Sequence, residues 1–474
     1  MRKHIFIKGL LSCLLIMVFS CRKNDQNFIY DKMNEVSIKT DSTSFAVTQL
    51  DSLKIKPQLK ESIPGGDSYT YEWKIYPQIT VQGQSPVILS TEKELKAKIV
   101  LPPNTYNLQY KVTNSKTGVA SYMLYRVLVN GAFYEGWMVS NNKDGKAQLS
   151  FVRADNALIL NPAEAVNHTT YPGHALAAYS AVDYNIALTL FFTDQGVYRF
   201  NANDLLQNGT TTSLFPGGKQ FNTTPTYALN KLATDQYIVS EGGLYASLGP
   251  TFYPAEVLTP YSDRFTGDYL LFPAIISTTQ NSTFFYDNKY KRFMQAAYLD
   301  RTLEVSPGSA AASFDLSNVG KTMIACDYGA QSYSQDEFYF IMEDQGGRYL
   351  YSINGTTPGL KQTIGNSPDI DKASAFASSS VVKHLYYAAG NKIYLYDILA
   401  NSARLLYTFH AGYTIKDIKM LRSTSKRIVA AVNKGLAGEV YYFDLDNLGN
   451  FIGNTYVKKF EGFGEIVHLS YRNP

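Results

Sequence analysis

The chain contains few cysteines, few tryptophans and few charged residues for its length. Its 474 residues include 3 Cys and 2 Trp, and Asp, Glu, Lys and Arg together make up 18%. Cys13 lies in an N-terminal apolar run that we expect to be removed, so only Cys21 and Cys326 remain. Two cysteines are too few for a disulfide framework. The fold must therefore be stabilised by hydrophobic cores, and the length suffices for two or three domains.

A strong net charge and long apolar segments are also absent. The formal net charge is +4, and three of the 44 basic residues precede the N-terminal run in the segment that we expect to be removed, so the rest of the chain is close to neutral against its 40 acids. This balance gives no reason to invoke nucleic acid or acidic lipid as a partner. After the N-terminal run, no stretch of 18 continuous apolar residues follows, so no later membrane span is expected.

The N-terminal run, residues 10–21, is short, and basic residues precede it. Val18, Phe19 and Ser20 lead to Cys21, which places a small residue at the expected cleavage position. This order resembles the lipobox of bacterial lipoproteins, in which the cysteine is acylated, with palmitate for example, and becomes the new N-terminus. The resemblance implies a signal peptide over residues 1–20 and lipid attachment at Cys21. An ordinary signal peptide is the alternative.

Residues 21–29 then form a polar, lipidated tether. Some bacteria of the Bacteroides group place an acidic tract here to direct export to the cell surface, and this chain has only Asp25. We expect a protein that is lipid-anchored in the outer membrane and displayed on the cell surface. The inward-facing leaflet is the alternative.

The composition favours an all-β protein. Aromatic residues make up 14% of the chain, with 37 Tyr and 26 Phe, and such residues fit a pleated, half-buried surface. Over residues 30–130 the pattern predicts an immunoglobulin-like β-sandwich, with strands at 69–76, 97–101, 106–112 and 120–129. Trp73 is expected in its core.

Two segments of this region carry a family resemblance. Tyr71-Glu72-Trp73 and residues 103–114 look like a PKD-type domain, although Ile75-Tyr76-Pro77 stands where that family usually has an acidic glycine turn. The resemblance implies a spacer or adhesive unit, so residues 30–130 are interpreted as a PKD-like stalk.

Residues 131–474 repeat loosely. Apolar strand cores recur at intervals of 42 to 54 residues, near Met138, Leu190, Ile238, Phe284, Phe338, Tyr386 and Ile428. Several are followed by a turn with Gly and a Tyr-rich second strand, which predicts hairpins that must stack to bury both faces. The spacing predicts a β-propeller of seven blades, closed by pairing of the terminal strand, 465–471, with the strand at Trp137. A large β-sandwich or two smaller β domains are the alternatives.

Chemical motifs are sparse. His168, His174, His384, His410 and His468 lack the spacing of metal ligands, and Cys326 lies in an apolar strand, so we predict no catalytic residue, no metal site and no cofactor. The turns at 141–145 and 444–450 have calcium-like oxygens but lack an EF-hand glutamate. The carboxylate pairs Asp369/Asp371 and Glu343/Asp344 are more simply explained as solvated turns than as a glycosidase pair.

Nearly the whole chain resembles, in its architecture and a few strand motifs, the PKD-like lipoproteins of Bacteroides-type bacteria, which often accompany Sus-type uptake systems. The resemblance implies a non-enzymatic accessory that captures glycan or peptide, or binds a partner, for a channel and capture-lipoprotein complex, with ligand-binding residues unknown. Exposed tyrosines on a propeller face could stack on such ligands. A surface hydrolase or lyase with its active site on the propeller face is one alternative, and a purely structural transporter subunit is another.

Overall fold

The computed structural model describes residues 33–79, 85–183, 186–230, 232, 235–249, 258–278, 282–309, 311–331 and 336–473. The predicted signal peptide, Cys21 and the tether lie outside these described residues. Nearly all regular structure within them is β-strand. No helix in this part of the chain is both long and apolar enough to cross a membrane.

The chain divides into two compact units. The first contains residues 33–45, Leu53–Ala97 and Tyr106–Val127, and the second contains Ala46–Ser52, Lys98–Thr105 and the chain from Leu128 onward. Two short segments that lie before residue 130 in the sequence therefore pack with the C-terminal part of the chain.

Nine strands precede residue 131, and most belong to one antiparallel sheet of five strands in the order β2-β9-β8-β5-β6. Two-stranded ladders join β1 to β4 and β3 to β7. The strands are β1 (Val36–Lys39), β2 (Ser44–Thr48), β3 (Ser52–Ile55), β4 (Gln58–Glu61), β5 (Tyr69–Pro77), β6 (Val87–Ser90), β7 (Leu95–Lys98), β8 (Asn104–Asn114) and β9 (Ala120–Asn130).

The core of the first unit is built on Trp73. Its side chain is fully buried on β5 and stacks on Tyr110 of β8, with ring centroids 4.0 Å apart. Tyr125 of β9 packs at 5.8 Å, and the indole N–H donates to the carbonyl oxygen of Glu92 at 2.9 Å. A buried indole N–H needs such an acceptor. The burial of Trp73 and its ring contacts confirm the prediction that this residue lies in the core.

One predicted strand in this region is misplaced. The sequence predicts a strand over residues 97–101, but the corresponding strand, β7, begins at Leu95 and ends at Lys98. Ile99 leaves the ladder because its N–H donates to the carbonyl oxygen of Asp51 and its own carbonyl accepts from the N–H of Leu50. The backbone N–H and carbonyl of Ile99 therefore have hydrogen-bond partners outside the strand ladder. Ile99 lies in a loop although its side chain is buried.

The remainder of the chain contains seven antiparallel sheets among the described residues, here numbered in chain order. The first is β10 (Gly136–Lys143), β11 (Lys146–Arg153) and β12 (Leu158–Ile159), joined by β36 (Glu465–Arg472). The second is β13 (Ala175–Asp183), β14 (Ile186–Thr193), β15 (Gly196–Asn201) and β16 (Gln207–Thr210), and the third is β17 (Thr226–Leu229), β18 (Asp235–Ser240) and β19 (Gly243–Leu248).

The other four sheets each have four strands. The fourth is β20 (Ile276–Ser277), β21 (Ser282–Asp287), β22 (Arg292–Ala297) and β23 (Glu304–Val305), and the fifth is β24 (Thr322–Gln331), β25 (Asp336–Asp344), β26 (Gly347–Asn354) and β27 (Thr357–Thr363). The sixth is β28 (Ala375–Ser378), β29 (His384–Ala389), β30 (Lys392–Asp397) and β31 (Ser402–Thr408), and the seventh is β32 (Tyr413–Met420), β33 (Arg427–Lys434), β34 (Ala437–Asp444) and β35 (Lys458–Phe463).

The recurring apolar segments seen in the sequence occupy one equivalent strand in each sheet. They are β10, β14, β18, β21, β25, β29 and β33, each the second strand from one edge of its sheet. These strands are buried along most of their length, since residues on both of their faces are covered. Two short helices, α1 (Pro162–Asn167) and α2 (Thr211–Leu214), lie between sheets in the chain.

The C-terminal strand β36 is hydrogen-bonded to β10, far from it in sequence. Trp137 is opposite Tyr471 and Val139 is opposite Leu469 in this antiparallel ladder. The rings of Trp137 and Tyr471 are 4.8 Å apart. The first sheet is therefore assembled from both ends of the C-terminal region.

Candidate binding cavity

Residues from several sheets of the second unit line a cavity of about 380 Å³. Its wall comes mainly from edge strands of five sheets, here called the inner strands, which are β36, β13, β17, β24 and β32, and from residues 273–275 directly before β20. Aromatic side chains form much of this wall, namely Trp137, Tyr179, Tyr227, Tyr328, Phe338 and Tyr471. We call this space the central cavity.

Polar side chains link neighbouring sheets around the central cavity. The hydroxyl of Ser470 donates to the carbonyl oxygen of Ala178 at 2.6 Å, which joins the first sheet to the second. Tyr179 in turn donates to the carbonyl oxygen of Pro225 at 2.9 Å, directly before β17. Thr226 continues the pattern with a 2.7 Å bond to the carbonyl oxygen of Pro273, directly before β20.

The remaining sheet neighbours are linked as well. Asn288, which follows β21, accepts from and donates to the backbone of Met323 on β24, at 2.9 and 3.1 Å. Asp417 on β32 accepts the backbone N–H of Leu469 on β36 at 3.2 Å. Each pair of consecutive sheets, the seventh with the first included, is thus joined by at least one bond that involves a side chain.

Arg422, Asp327 and Ser378 form a polar cluster that ties three sheets together. Arg422 forms an ion pair with Asp327 and donates to the carbonyl oxygens of Tyr328 and Ser378. Asp327 also accepts the N–H of Ser378 at 2.7 Å and its hydroxyl at 3.2 Å. Hydrogen bonds to a carboxylate that is also ion-paired fix its orientation. Asp327 is therefore held in place by contacts with both Arg422 and Ser378.

His468 also lies on the wall of the central cavity, where its ring packs against an aromatic neighbour. The ring is half-buried and packs against Tyr179, with ring centroids 4.9 Å apart. Its Nδ1 is enclosed by protein and has no hydrogen-bond partner among the described residues. Burial lowers the pKa of His468 to about 4, against a smaller opposing effect of Asp417. The imidazole is therefore neutral at physiological pH.

Cys326 also borders the central cavity. Burial raises the pKa of its thiol, and the neighbouring Asp327 carboxylate adds to that shift. Because the thiolate is the nucleophilic form, the thiol is held in its unreactive state. Burial likewise raises the pKa of the Tyr179 and Tyr328 phenols, so both keep their hydroxyl protons. The prediction that Cys326 is a core residue needs one correction, because its strand β24 faces the cavity as well as the packed core.

The histidine pair considered for zinc lies on the surface. His168 is exposed at the end of α1, and His174 is exposed and pairs with Asp194 at 3.0 Å. Among the described residues, no three His, Cys, Asp or Glu side chains are grouped to hold a metal ion. The turn at 141–145 is a tight hairpin in which Asp144 and Gly145 both have positive φ, which glycine adopts without strain.

Three of the four acidic residues considered as carboxylate pairs, namely Asp369, Glu343 and Asp344, each contact a cation. Asp369 accepts bonds from Tyr394 at 2.6 Å and from Lys392 at 3.3 Å, and these bonds lower its pKa to about 2. Glu343 pairs with Arg348 at 3.3 Å. Asp344 pairs with Lys321, whose hydrogen bond is the largest cause of the lowered pKa of that carboxyl. Glu343, Asp344 and Asp371 line an open groove of about 900 Å³.

The sequence did not identify the residues of the central cavity. Tyr179, Thr226, Ser470 and Arg422 are ordinary residue types without a motif, and His468 was set aside as isolated. The available signal was their spacing, because Tyr179 lies 46 residues before its acceptor and Thr226 lies 47 residues before its own. Both intervals fall within the 42 to 54 residues that separate the apolar repeats.

The fold defines a class in which a PKD-like β domain precedes a β-rich, propeller-like region. Residues 21–177 match the PKD-like family, which confirms the resemblance seen in the sequence. The match extends beyond residue 130 into the first sheets of the C-terminal region. No curated protein matches the chain.

Solved structures similar to this chain include two from Bacteroides thetaiotaomicron. A quinonprotein alcohol dehydrogenase-like protein has a TM-score of 0.52 and 13% identity, with 91% of this chain and 97% of that chain covered. The extracellular domain of a putative one component system has a TM-score of 0.34 and 12% identity, with 57% of this chain and 32% of that chain covered. The first likeness extends over nearly the whole of both chains and supports the propeller-like fold.

Proposed function

We propose that this protein is a lipid-anchored, non-enzymatic binding protein of the bacterial cell surface that captures a ligand in the central cavity. The observation that carries the proposal is the cavity itself. It has an aromatic wall and a polar rim, and it is built from the inner strands of many sheets. Concave sites lined by aromatic side chains with a few fixed polar groups are typical of ligand recognition.

The C-terminal region, in this proposal, is a closed propeller of seven blades. Seven sheets among the described residues, the pairing of β36 with β10 and the side-chain bonds between consecutive sheets support this arrangement. Closure by a terminal strand covers two edges that would otherwise be exposed to aggregation. It also makes the cavity wall continuous.

The hydrogen bonds and protonation states of the side chains at the cavity favour capture over hydrolysis or lyase chemistry. A general acid or base must reach a reacting atom with a free lone pair or proton. Asp327 is already held by Arg422 and Ser378, and the Cys326 thiol stays protonated. In the part of the chain that the structure describes, no carboxylate is bonded to the buried Nδ1 of His468 to orient it as a catalytic base.

The cellular role in this proposal is that of an accessory in nutrient uptake across the outer membrane. Acylated Cys21 anchors the chain in the outer membrane, and the PKD-like unit serves as the stalk. The ligand is a glycan or a peptide, passed to a Sus-type channel and capture-lipoprotein complex. The family resemblance over residues 21–177 supports this assignment.

A binding and turnover assay tests the proposal. The mature chain with Cys21→Ser would be titrated with oligosaccharides and short peptides by calorimetry, and each ligand would then be analysed for cleavage. We expect saturable binding of at least one ligand, which is recovered unchanged. Cleavage with repeated turnover would establish the hydrolase or lyase alternative, and absence of binding across the panel would refute capture.

A crosslinking experiment addresses the partner. Membranes that contain the lipidated chain would be crosslinked, and the chain would be purified with its neighbours. Recovery of an outer-membrane channel together with a second lipoprotein is the expected result. Recovery of the chain alone, with and without crosslinker, would argue against a complex.

A further inference from the structure

We propose that the central cavity binds one small, neutral, polyhydroxylated molecule, and that His468 is a specificity-determining residue for it. This inference rests on the proposed capture function and names the ligand class of the same site.

The size of the cavity limits the ligand. A volume of about 380 Å³ lies near the lower end of the range of roughly 300–1,000 Å³ that is usual for small-molecule pockets. A folded partner or a long polymer chain does not fit inside such a space. A molecule of about one or two sugar rings does.

The charges on the wall are already paired. Arg422 is bound to Asp327, and Lys419 lies 3.2 Å from Asp417. Each cation of the described lining therefore has an anion beside it. A charged ligand would have to leave water without gaining an unpaired counter-charge, which is costly. A neutral ligand avoids that cost.

Three hydroxyl groups of the wall already donate their hydrogen atoms within the protein. Tyr179, Thr226 and Ser470 each donate to a backbone carbonyl of the next sheet. Their remaining capacity is as acceptors, through oxygen lone pairs. A ligand that donates hydrogen bonds can use these three oxygens, and the half-buried rings of Tyr328 and Tyr471 offer apolar surface for its carbon skeleton.

His468 supplies the complementary group. A neutral imidazole carries one proton, and the tautomer with that proton on Nε2 leaves the enclosed Nδ1 as a bare lone pair. The half-buried ring then presents an N–H to the cavity. A hydroxyl group can accept from this N–H and donate to a phenol oxygen at once, whereas an ammonium group cannot accept and a carboxylate cannot donate. Polyhydroxylated molecules satisfy both requirements.

Calorimetry on the mature chain with Cys21→Ser tests this inference. The neutral probes are glucose, galactose, N-acetylglucosamine and myo-inositol, and the charged probes are choline and acetate. We expect at least one neutral probe to bind about tenfold or more tightly than either charged probe, the size of effect expected when buried polar groups would be left unpaired.

Substitutions assign the effect to His468. His468→Phe removes the N–H donor and should weaken binding about tenfold or more, while His468→Gln keeps a donor and should weaken it less. The matched control is His384→Phe, because His384 is also half-buried with an enclosed Nδ1 but lies outside this cavity. It should leave the affinity unchanged. If His468→Phe fails to fold, Tyr179→Phe, which keeps the ring and removes one acceptor oxygen, should weaken binding instead.

Three results would overturn the inference. They are tighter binding of a charged probe, no binding of any neutral probe, and equal binding by the wild type and a folded His468→Phe variant. Capture of a larger glycan or peptide that is unaffected by His468→Phe would refute the central cavity as the site but leave the capture function standing. Failure of the two proposals is therefore distinguishable.

Discussion

Ser470 on the last strand donates its hydroxyl hydrogen to the carbonyl oxygen of Ala178 at 2.6 Å, across 292 positions of sequence. This bond joins a strand from the C-terminal end of the chain to the second sheet, while β36 itself is paired with β10 of the first. The terminal strand thus contributes to two neighbouring sheets. Its residues are expected to matter for stability far more than a chain end usually does.

The first prediction concerns Leu469 on β36. Its side chain is fully buried and packs in a cluster with Trp137 and Val139. Leu469→Ala should lower the free energy of unfolding by about 2–5 kcal/mol, because it removes buried methyl groups and leaves a cavity. Urea unfolding followed by near-UV circular dichroism measures this change.

Leu399→Ala is the matched control for that experiment. Leu399 is 83% exposed, so its truncation should change the free energy of unfolding by less than about 0.5 kcal/mol. Equal effects of the two substitutions would show that β36 is not part of the folded core.

The repeat architecture could be predicted because its signal is local. Ile238, Tyr386 and Ile428 each lie in a run of apolar residues, and the strands that contain them are covered on both faces. A strand buried on two sides leaves a continuous apolar segment in the sequence. The hairpin β29–β30 was predicted for the same reason, with Gly390 and Asn391 at its turn.

The central cavity could not be predicted in the same way, because it depends on contacts between repeats. Thr226 is an ordinary strand residue until the fold places its hydroxyl beside Pro273. Asp327 and Ser378 lie 51 positions apart, and neither residue type indicates the other. Such contacts depend on how neighbouring sheets are aligned with one another. That alignment is set by the whole fold and not by a local sequence pattern.

The second prediction concerns the ion pair of Arg422 and Asp327. Arg422→Gln leaves Asp327 without its cation and removes bonds to two backbone carbonyls. Both side chains retain 21–28% exposure, so we discount the cost of breaking a fully buried pair to about 1–3 kcal/mol of unfolding free energy. Chemical denaturation at low salt measures it.

Lys459→Gln provides the comparison for this pair. Lys459 and Glu461 form an ion pair whose acid is 62% exposed, and such pairs contribute at most about 1 kcal/mol. A larger loss of stability for Lys459→Gln than for Arg422→Gln would contradict the assigned role of the cluster.

The third prediction concerns pH and His468. The folded state lowers the pKa of this histidine to about 4, whereas an unfolded chain has a histidine pKa of about 6.5. Between these values the unfolded state binds a proton that the folded state does not. The contribution of His468 to stability is therefore present above pH 6.5 and is lost as the pH falls toward 4.

Melting temperatures from pH 7.5 to pH 4.5 test this dependence. Relative to wild type, His468→Gln should lose less stability on acidification, because glutamine does not titrate. The groups that face the ring are Tyr179 on β13 and Asp417 and Lys419 on β32, and all three are kept in this variant. Parallel pH profiles for the two proteins would show that the ring is already protonated or solvated in the folded state.

The fourth prediction concerns the lipid anchor. Cys21→Ser should abolish incorporation of labelled palmitate and shift the protein from the membrane fraction to the soluble fraction, because the thiol is the proposed site of acylation and the described residues include no membrane-spanning helix. Cys326→Ser is the matched control, since Cys326 is the free cysteine of the described residues. It should keep both the label and the membrane location. Retention of palmitate by Cys21→Ser would refute the anchor at this position, and it would remove the tether from which the PKD-like unit is proposed to extend.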